Sequence, residues 1–192
     1  MKVTVERQTK ETQIQLSLDM SSSQVPQIAT GVPFFDHMLT AMSFHGGFFL
    51  DVQGKGDLEV DPHHLVEDVG LVLGDALKKH ADSAGALGRY GFSVIPMDEA
   101  LSEVVIDVCN RPTCVYRANL PQTRAGDFDL TLVREFLIAL SNRASLALHA
   151  HCRYGENAHH MIEALFKALG KALRQAYQPA SGAVVPSTKG TL

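Results

Sequence analysis

The stretch HHLVEDVGLVLGDAL, residues 63–77, begins with two adjacent histidines and carries a glutamate four places after the first. A second stretch, HHMIEALFKALGKAL at residues 159–173, matches it at seven of fifteen positions, 96 residues further along a chain of 192. A repeat at half the chain length indicates an internal duplication. We therefore expect two similar halves, about residues 1–88 and 89–192, within a single domain.

The segments around each copy support this expectation, because both halves predict the order strands, helix, strand, helix. Asp61 and Pro62 provide a cap and a first-turn proline for the helix that carries the first copy. The first half reads as a hairpin at 2–20, a loop at 21–27, a helix at 33–45, a strand at 46–56 and a helix from 63 to about 80. The second half reads as two strands in 103–120 around the turn at 110–112, a helix at 128–144, a strand at 145–155 and a helix at 159–177.

Composition excludes several classes of protein. A formal net charge of -4 and a pI near 6.1 argue against a general nucleic-acid or anionic-membrane binder. The first residues contain no apolar core of a secretory signal, and no apolar run approaches the roughly 18 residues that cross a bilayer. The three cysteines form no CxxC pair, so we expect no disulfide framework and a cytoplasmic location.

The repeated histidine pair predicts metal binding. On a helix, residues i and i+4 project from one side, whereas neighbours diverge by about 100°. His63 and Glu67 can therefore converge on one ion, while adjacent histidines serve two different ions. The second copy, with His159, His160 and Glu163, would complete these sites.

Superposing the halves indicates two further ligands. His37 lies 26 residues before His63, and Glu135 lies 24 before His159, each near the start of the preceding helix. Imidazole with carboxylate suits Mn, Fe, Co, Ni or Zn, and the shortage of thiolates argues against a closed structural zinc site. The structural alternative for one histidine pair is a solvated or capping role; two copies with the same glutamate spacing favour ligation. Gly74 and Gly170, at matching positions, are expected to permit close helix packing.

The chain resembles the imidazoleglycerol-phosphate dehydratase family of histidine biosynthesis over essentially its whole length. The resemblance rests on FFDHML, SFHGG, DPHHLVEDVGLVLGDAL, GRYG, PMDEAL, NRP, LH, GENAHHMIEALFKALGKALRQA and PSTKG, in the family's order. It implies an α+β fold of two pseudo-repeated halves, each a mixed or antiparallel sheet with helices on one face, similar to ribosomal protein S5 domain 2. It also implies a homo-oligomer of 24 subunits built from trimers, with sites between subunits.

The resemblance further implies two Mn²⁺ ions per active site and assigns their ligands. These are the histidine of FFDHML, both HHxxE motifs and a residue before the last strand: His37, His63, His64, Glu67, Glu135, His159, His160 and Glu163. The family often has histidine where this chain has Glu135, so a carboxylate or a water would replace an imidazole there.

Substrate contacts are implied in the same way. They fall on Glu11, His45, Arg89, Arg111, Ser187 and Lys189. Two guanidinium groups, a hydroxyl and an ammonium suit a phosphate clamp, although a surface ion pair is the alternative for each arginine. His45 could equally cap the end of its helix. Asp98 and Glu99 are expected either to be structural or to orient metal-bound histidines.

The implied reaction removes water from imidazoleglycerol phosphate to give imidazole acetol phosphate. The hydrogen lost from C2 is not acidic in the substrate, so the imidazole ring must assist departure of the C3 hydroxyl before a base takes that proton. Glu11 and Glu163 are the candidate bases, and a glutamate that also binds a metal is the poorer base, which favours Glu11.

Two other functions fit parts of the same evidence. A dinuclear metallohydrolase would use metals, histidines and basic residues on a phosphate ester, and would release inorganic phosphate instead of a ketone. A non-catalytic metal-binding or storage assembly would leave Arg89, Arg111 and Lys189 as ordinary surface charges, so their replacement would alter no turnover.

Overall fold

The computed structural model describes residues 1–180, and its two halves repeat one arrangement. The first half contains β1 (Lys2–Gln8), β2 (Thr12–Asp19), β3 (Gln27–Ala29), α1 (Pro33–Gly46), β4 (Phe49–Gly56) and α2 (His63–Ser83). The second half contains β5 (Tyr90–Met97), β6 (Ala100–Asp107), β7 (Thr113–Ala118), β8 (Arg124–Ala125), β9 (Phe128–Asp129), α3 (Leu132–Ala144), β10 (Ala147–Tyr154) and α4 (Ala158–Ala176).

The two large sheets have the same topology. The strand order is β1-β2-β4-β3 in the first half and β5-β6-β10-β7 in the second. In each sheet two antiparallel pairings are followed by one parallel edge pairing, β3 on β4 and β7 on β10. The predicted α+β class, with mixed sheets and two similar halves, is confirmed.

Helices cover only one face of each sheet and also hold the halves together. Helix α2 packs on β1 and β2, and α4 packs on β5 and β6. Across the halves, α1 packs against α4 and α2 against α3. The molecule is therefore layered as sheet, helices, helices, sheet, and its core of buried Leu, Val, Ile, Phe and Met side chains lies between the two sheets.

Gly170 and Gly74 permit these helix contacts, as the sequence predicted. A Cβ added at Gly170 would lie 1.9 Å from the carbonyl oxygen of Met42 in α1. A Cβ added at Gly74 would lie 2.6 Å from the Cβ of Arg143 in α3. Only a residue without a side chain fits at either crossing.

Four local features differ from the sequence reading. The alternating stretch 90–97 forms strand β5, which the sequence reading missed, and the short strand β3 lies partly within the predicted loop. Strands β6 and β7 flank the turn at 110–112 as predicted, but they do not pair with each other because β10 lies between them. Residues 128–131 precede α3 instead of opening it, since Phe128–Asp129 pairs with Arg124–Ala125.

The two halves join where residues 86–89 lie beside the end of the described chain. Leu87 bridges to Pro179, the amide of Gly88 donates to the carbonyl of Gln178 at 2.8 Å, and that of Arg89 to Ala176 at 2.9 Å. Backbone hydrogen bonds thus join the segment around residue 88 to the segment that follows α4. Within the described residues, no helix is both long enough and apolar enough to cross a membrane.

Candidate metal centre

In both HHxxE helices, a polar side chain just before the helix accepts a hydrogen bond from the amide of the first histidine. The side chain of Asp61 accepts a hydrogen bond from the amide of His63 at 2.7 Å, and that of Asn157 accepts from the amide of His159 at 2.9 Å. Each capping residue stands two places before the first histidine of its pair. The cap fixes the direction of the first helical turn and so the direction in which the histidines project.

Helix α4 and helix α1 together build a three-donor cluster. The Nε2 atoms of His37 and His159 each lie 3.1 Å from Oε2 of Glu163. These three donor atoms lie within 4.8 Å of one another. His159 and Glu163 are one helical turn apart, and His37 reaches them because α1 crosses α4. Two imidazole nitrogens and a carboxylate oxygen form a donor set that suits a first-row divalent ion.

The carboxylate of Glu163 is buried and fully engaged. Its second oxygen, Oε1, lies 2.8 Å from Nζ of Lys167, a residue that sequence reasoning did not select. Burial by itself raises the pKa of Glu163, but hydrogen bonds from Lys167 and His37 outweigh it and lower that pKa to about 2. Glu163 is therefore ionised at neutral pH, which suits a metal ligand and makes it a weak proton acceptor.

Helix α2 presents a smaller and more exposed set of donors. Nε2 of His63 lies 3.8 Å from Oε2 of Glu67, and the two side chains are 42% and 46% exposed. Neither residue belongs to the α4 cluster, which is the candidate metal-binding group found among residues 1–180. The pair supplies two donors, so an ion bound here needs further ligands.

The second histidine of each pair is held by a carboxylate. Nδ1 of His64 lies 3.0 Å from Asp57, and Nδ1 of His160 lies 2.9 Å from Glu99. These hydrogen bonds are the main cause of the raised pKa of both histidines. A carboxylate at Nδ1 fixes the ring orientation and leaves Nε2 as the atom that can bind a metal. Sequence reasoning missed Asp57, whose only signal was its place just before the helix.

Glu99 itself is fixed by several hydrogen bonds. Its Oε1 accepts from the amides of Glu156 and Asn157 at 3.0 and 2.8 Å, while Oε2 faces His160. The hydrogen bond with His160 is the largest cause that lowers the pKa of Glu99 to about 2. Of the two roles expected for Glu99, its contacts favour orienting a histidine. Asp98 lies further away, 3.7 Å from Nε2 of His160.

Glu11 is the other acidic side chain near a histidine pair. It lies in the turn between β1 and β2, and its Oε2 is 3.9 Å from Nδ1 of His64. Its side chain is 58% exposed. Among the described residues its carboxylate accepts no hydrogen bond, in contrast to Glu99, so it can contact a bound molecule.

The structure does not bring Glu135 into the α4 cluster. Glu135 lies in the first turn of α3, as predicted, and its carboxylate pairs with the adjacent Arg134 at 3.1 Å. Its neighbourhood is a surface cavity that Tyr116 and Leu130 also line. A ligand role for Glu135 within one chain has no geometric support here and stays a prediction for an assembly.

The substrate-binding candidates lie in separate places. His45 is in the last turn of α1, where burial, followed by Lys167 and Lys171, lowers the pKa of its ring. Arg89 and Arg111 meet at Asp107: Nε of Arg89 is 2.7 Å from Oδ1, and Nη2 of Arg111 is 4.0 Å from Oδ2.

Arg89 has a positive φ of 69°, which is uncommon for a residue with a side chain. Its guanidinium is mostly buried, whereas that of Arg111 is 70% exposed. Arg89 therefore forms an ion pair with Asp107, which was the alternative to phosphate binding. The guanidinium group of Arg111 stays exposed beside that pair. Ser187 and Lys189 lie outside the described residues.

Comparison with known proteins gives one consistent result. Residues 30–173 match the family model described as imidazoleglycerol-phosphate dehydratase. A protein of that name from Anaeromyxobacter sp. (strain K) is 48% identical over 190 residues, which cover 98% of this chain and 90% of the relative. Another, from Bacillus cereus (strain B4264), is 49% identical over 187 residues, or 97% of this chain and 96% of the relative.

Solved structures agree with the sequence relatives. The crystal structure of imidazoleglycerol-phosphate dehydratase from Staphylococcus aureus subsp. aureus N315 superposes with a TM-score of 0.85 at 37% identity, covering 94% of this chain and 100% of that one. The enzyme from Pyrococcus furiosus, solved in complex with (S)-C348, gives a TM-score of 0.85 at 36% identity, covering 98% and 100%. Fold and sequence thus identify the same family.

Proposed function

Because the chain belongs to the imidazoleglycerol-phosphate dehydratase family, an enzyme family of histidine biosynthesis, we propose that its own residues catalyse the dehydration of imidazoleglycerol phosphate. The reaction removes water from imidazoleglycerol phosphate and gives imidazole acetol phosphate. The observation that carries the proposal is the convergence of His37, His159 and Glu163 at the start of α4. We assign the catalytic site to this cluster together with the donor side chains of α2.

Two manganese ions per active site are the proposed cofactors. Their proposed ligands are the imidazoles and carboxylates of both HHxxE helices with His37, and Glu135 in an assembly. When bound by these residues, such ions would supply Lewis acidity toward the substrate's imidazole ring and its leaving hydroxyl. The nitrogen-and-carboxylate donor set supports manganese without excluding iron, cobalt or zinc.

Glu11 is the proposed base. Loss of the C3 hydroxyl, assisted by the ring, makes the hydrogen on C2 acidic; the carboxylate of Glu11 takes that proton, and the resulting enol becomes the ketone. Glu11 is preferred over Glu163 because its carboxylate accepts no hydrogen bond among residues 1–180, whereas both oxygens of Glu163 are engaged by His37, His159 and Lys167. His45, whose ring burial favours the neutral form, is proposed to bind the substrate and to assist proton transfer.

Arg89, Arg111, Ser187 and Lys189 are the proposed phosphate clamp. The geometry at Asp107 supports the two arginines, since two guanidinium groups meet at one carboxylate and the three side chains together carry a positive charge. This charge would attract a phosphate dianion to the exposed Arg111. We also propose that the enzyme acts in the cytoplasm and binds neither nucleic acid nor membrane.

A homo-oligomer, built from trimers and reaching 24 subunits, is the proposed working form. Two features support self-association. His63 and Glu67 offer only two donors in an exposed position, so a second chain can supply the others. The outer face of the second sheet exposes Tyr90, Phe92 and Val105, which are 57%, 67% and 47% exposed, whereas polar side chains cover the outer face of the first sheet.

A product assay tests this function. Purified protein loaded with Mn²⁺ is expected to convert imidazoleglycerol phosphate to the ketone without releasing inorganic phosphate, and removal of the metal by a chelator is expected to stop turnover. Release of phosphate without ketone would instead support a metallohydrolase. The His159→Ala variant is the matched control, because it removes one donor of the α4 cluster from the protein surface without opening the core.

A further inference from the structure

A buried carboxylate, Asp68, follows the metal-ligand candidate Glu67 directly but points elsewhere. Its side chain is 11% exposed. Oδ1 accepts a hydrogen bond from Nε of Arg7 at 2.9 Å, and Oδ2 accepts from Oγ1 of Thr12 at 2.5 Å. A buried carboxylate is stable only when its oxygens are satisfied in this way. Asp68 thus ties helix α2 to the ends of strands β1 and β2.

These partners flank the turn that carries Glu11. Within the turn, the amides of Glu11 and Thr12 donate to Oγ1 of Thr9 at 3.1 and 2.9 Å. The carbonyl of Glu11 accepts from the amide of Asp57 at 3.1 Å. The backbone of Glu11 is therefore fixed on both sides, although its carboxylate is not.

His64 and Asp68 are four residues apart, so they project from the same side of α2. His64 faces Glu11, with 3.9 Å between Nδ1 and Oε2, and Asp68 holds the neighbouring Thr12. One face of the helix thus carries a metal-ligand candidate and the anchor of the turn that approaches it.

We propose that Asp68, acting through Thr12, is a positioning residue that sets where the Glu11 carboxylate stands relative to the histidines of α2. The inference rests on the proposed role of Glu11 as the base. Within residues 89–180 the second half shows no such device: the position equivalent to Asp68 is Ala164, and Glu99 is instead held by hydrogen bonds to its own carboxylate. The carboxylate of Glu11 is thus positioned through the backbone of the turn, which leaves the carboxylate itself without hydrogen bonds and able to act as the base.

The test compares Thr12→Val with Thr12→Ser, because both are small changes and only serine keeps the hydroxyl that reaches Asp68. Misplacement of a catalytic group by about 1 Å lowers rates by up to roughly 100-fold. We expect kcat to fall about 10-fold in Thr12→Val and by about 10- to 100-fold in Asp68→Asn, with Thr12→Ser within about twofold of the unchanged enzyme. KM and the amount of bound Mn²⁺ should not change.

A second arm separates positioning from stability. In a Glu11→Gln background, Thr12→Val and Asp68→Asn are expected to lower kcat no further, since the group they position is already lost. Asp75→Ala is the matched control: Asp75 lies on the same helix and binds Arg143 through both oxygens at 2.8 Å, but it does not contact the turn. It should lower the melting temperature and leave kcat within about twofold.

The outcomes separate this inference from the function on which it rests. An equal fall in kcat with and without Glu11 would overturn the positioning role, as would an unchanged kcat in both Thr12→Val and Asp68→Asn. A Glu11→Gln variant with full activity would remove the base assignment, and the positioning role would fall with it. Loss of bound Mn²⁺ in Thr12→Val would also overturn the inference, because the effect would then lie in the metal ligands.

Discussion

Helices α2 and α4 begin alike and differ in what surrounds them. Both carry a capped histidine pair followed by a glutamate, and in both the second histidine is held by a carboxylate at Nδ1. On α4 the glutamate is buried and joined by His37 and Lys167; on α2 it is half exposed beside His63. The donor side chains occupy equivalent positions in the two halves, but the residues around them differ.

The turns next to each helix show the same divergence. In the second half the carboxylate of Glu99 is held by two amides and a histidine, so it orients a ligand. In the first half Asp57 orients His64, and Glu11 stands 3.9 Å away with an exposed carboxylate. One half has a fixed carboxylate at its turn, and the other has an exposed carboxylate, which we propose as the base.

Replacing Glu11 has the largest expected effect. Glu11→Gln keeps the size of the side chain and removes its basicity, so kcat should fall by roughly 100- to 10,000-fold with two Mn²⁺ per site retained. Steady-state kinetics and metal analysis of the purified protein measure both quantities. An equal loss of activity and metal would assign Glu11 to ligation instead.

The equivalent change in the second half should act differently. Glu99→Gln removes the carboxylate that orients His160, and such changes typically weaken metal affinity about 10- to 100-fold. Activity should return toward that of the unchanged enzyme at high Mn²⁺ concentration, which Glu11→Gln should not do. Titration of activity against Mn²⁺ compares the two variants, and a loss that excess Mn²⁺ fails to restore would contradict the orienting role.

The helix crossings allow a comparison of stability. Gly170→Ala places a Cβ 1.9 Å from a backbone oxygen of α1, whereas Gly74→Ala meets the Cβ of Arg143 at 2.6 Å. Alanine favours a helix over glycine by about 1 kcal/mol, but overpacking typically costs about 1–3 kcal/mol. We expect the larger fall in melting temperature from Gly170→Ala, measured by circular dichroism. A fall of equal size, or a larger one in Gly74→Ala, would show that the α1–α4 crossing can relax.

Much of this arrangement was predictable from the sequence. The 96-residue repeat gave the two halves, and the capped HHxxE pattern gave the helices and the donors on each. These features depend on local spacing and on duplication, which a sequence records directly. The sequence also selected His37, but as the extra ligand of its own half; the structure places it with His159 and Glu163 of the second half, because α1 packs against α4.

Other features depend on contacts between distant residues, so no local pattern reveals them. Asp57, Asp68 and Lys167 act through partners that the fold brings to them. Strand β5 is different, because its alternating stretch is a local pattern that the sequence reading overlooked. The sequence favoured Glu11 over Glu163 only by a general argument about metal-bound carboxylates and could not settle the choice. That choice depends on which carboxylate is already occupied.

Mixed assemblies test most directly the claim that α2 of one chain and α4 of another complete each active site. His63→Ala and His159→Ala should each be inactive alone, because each removes a donor from every site. After the two proteins are dissociated and reassembled together in equal amounts, activity should recover to roughly one quarter of that of the unchanged enzyme, since random pairing joins an intact α2 to an intact α4 at that frequency. A mixture that stays as inactive as its components would contradict the claim and place each site within a single chain.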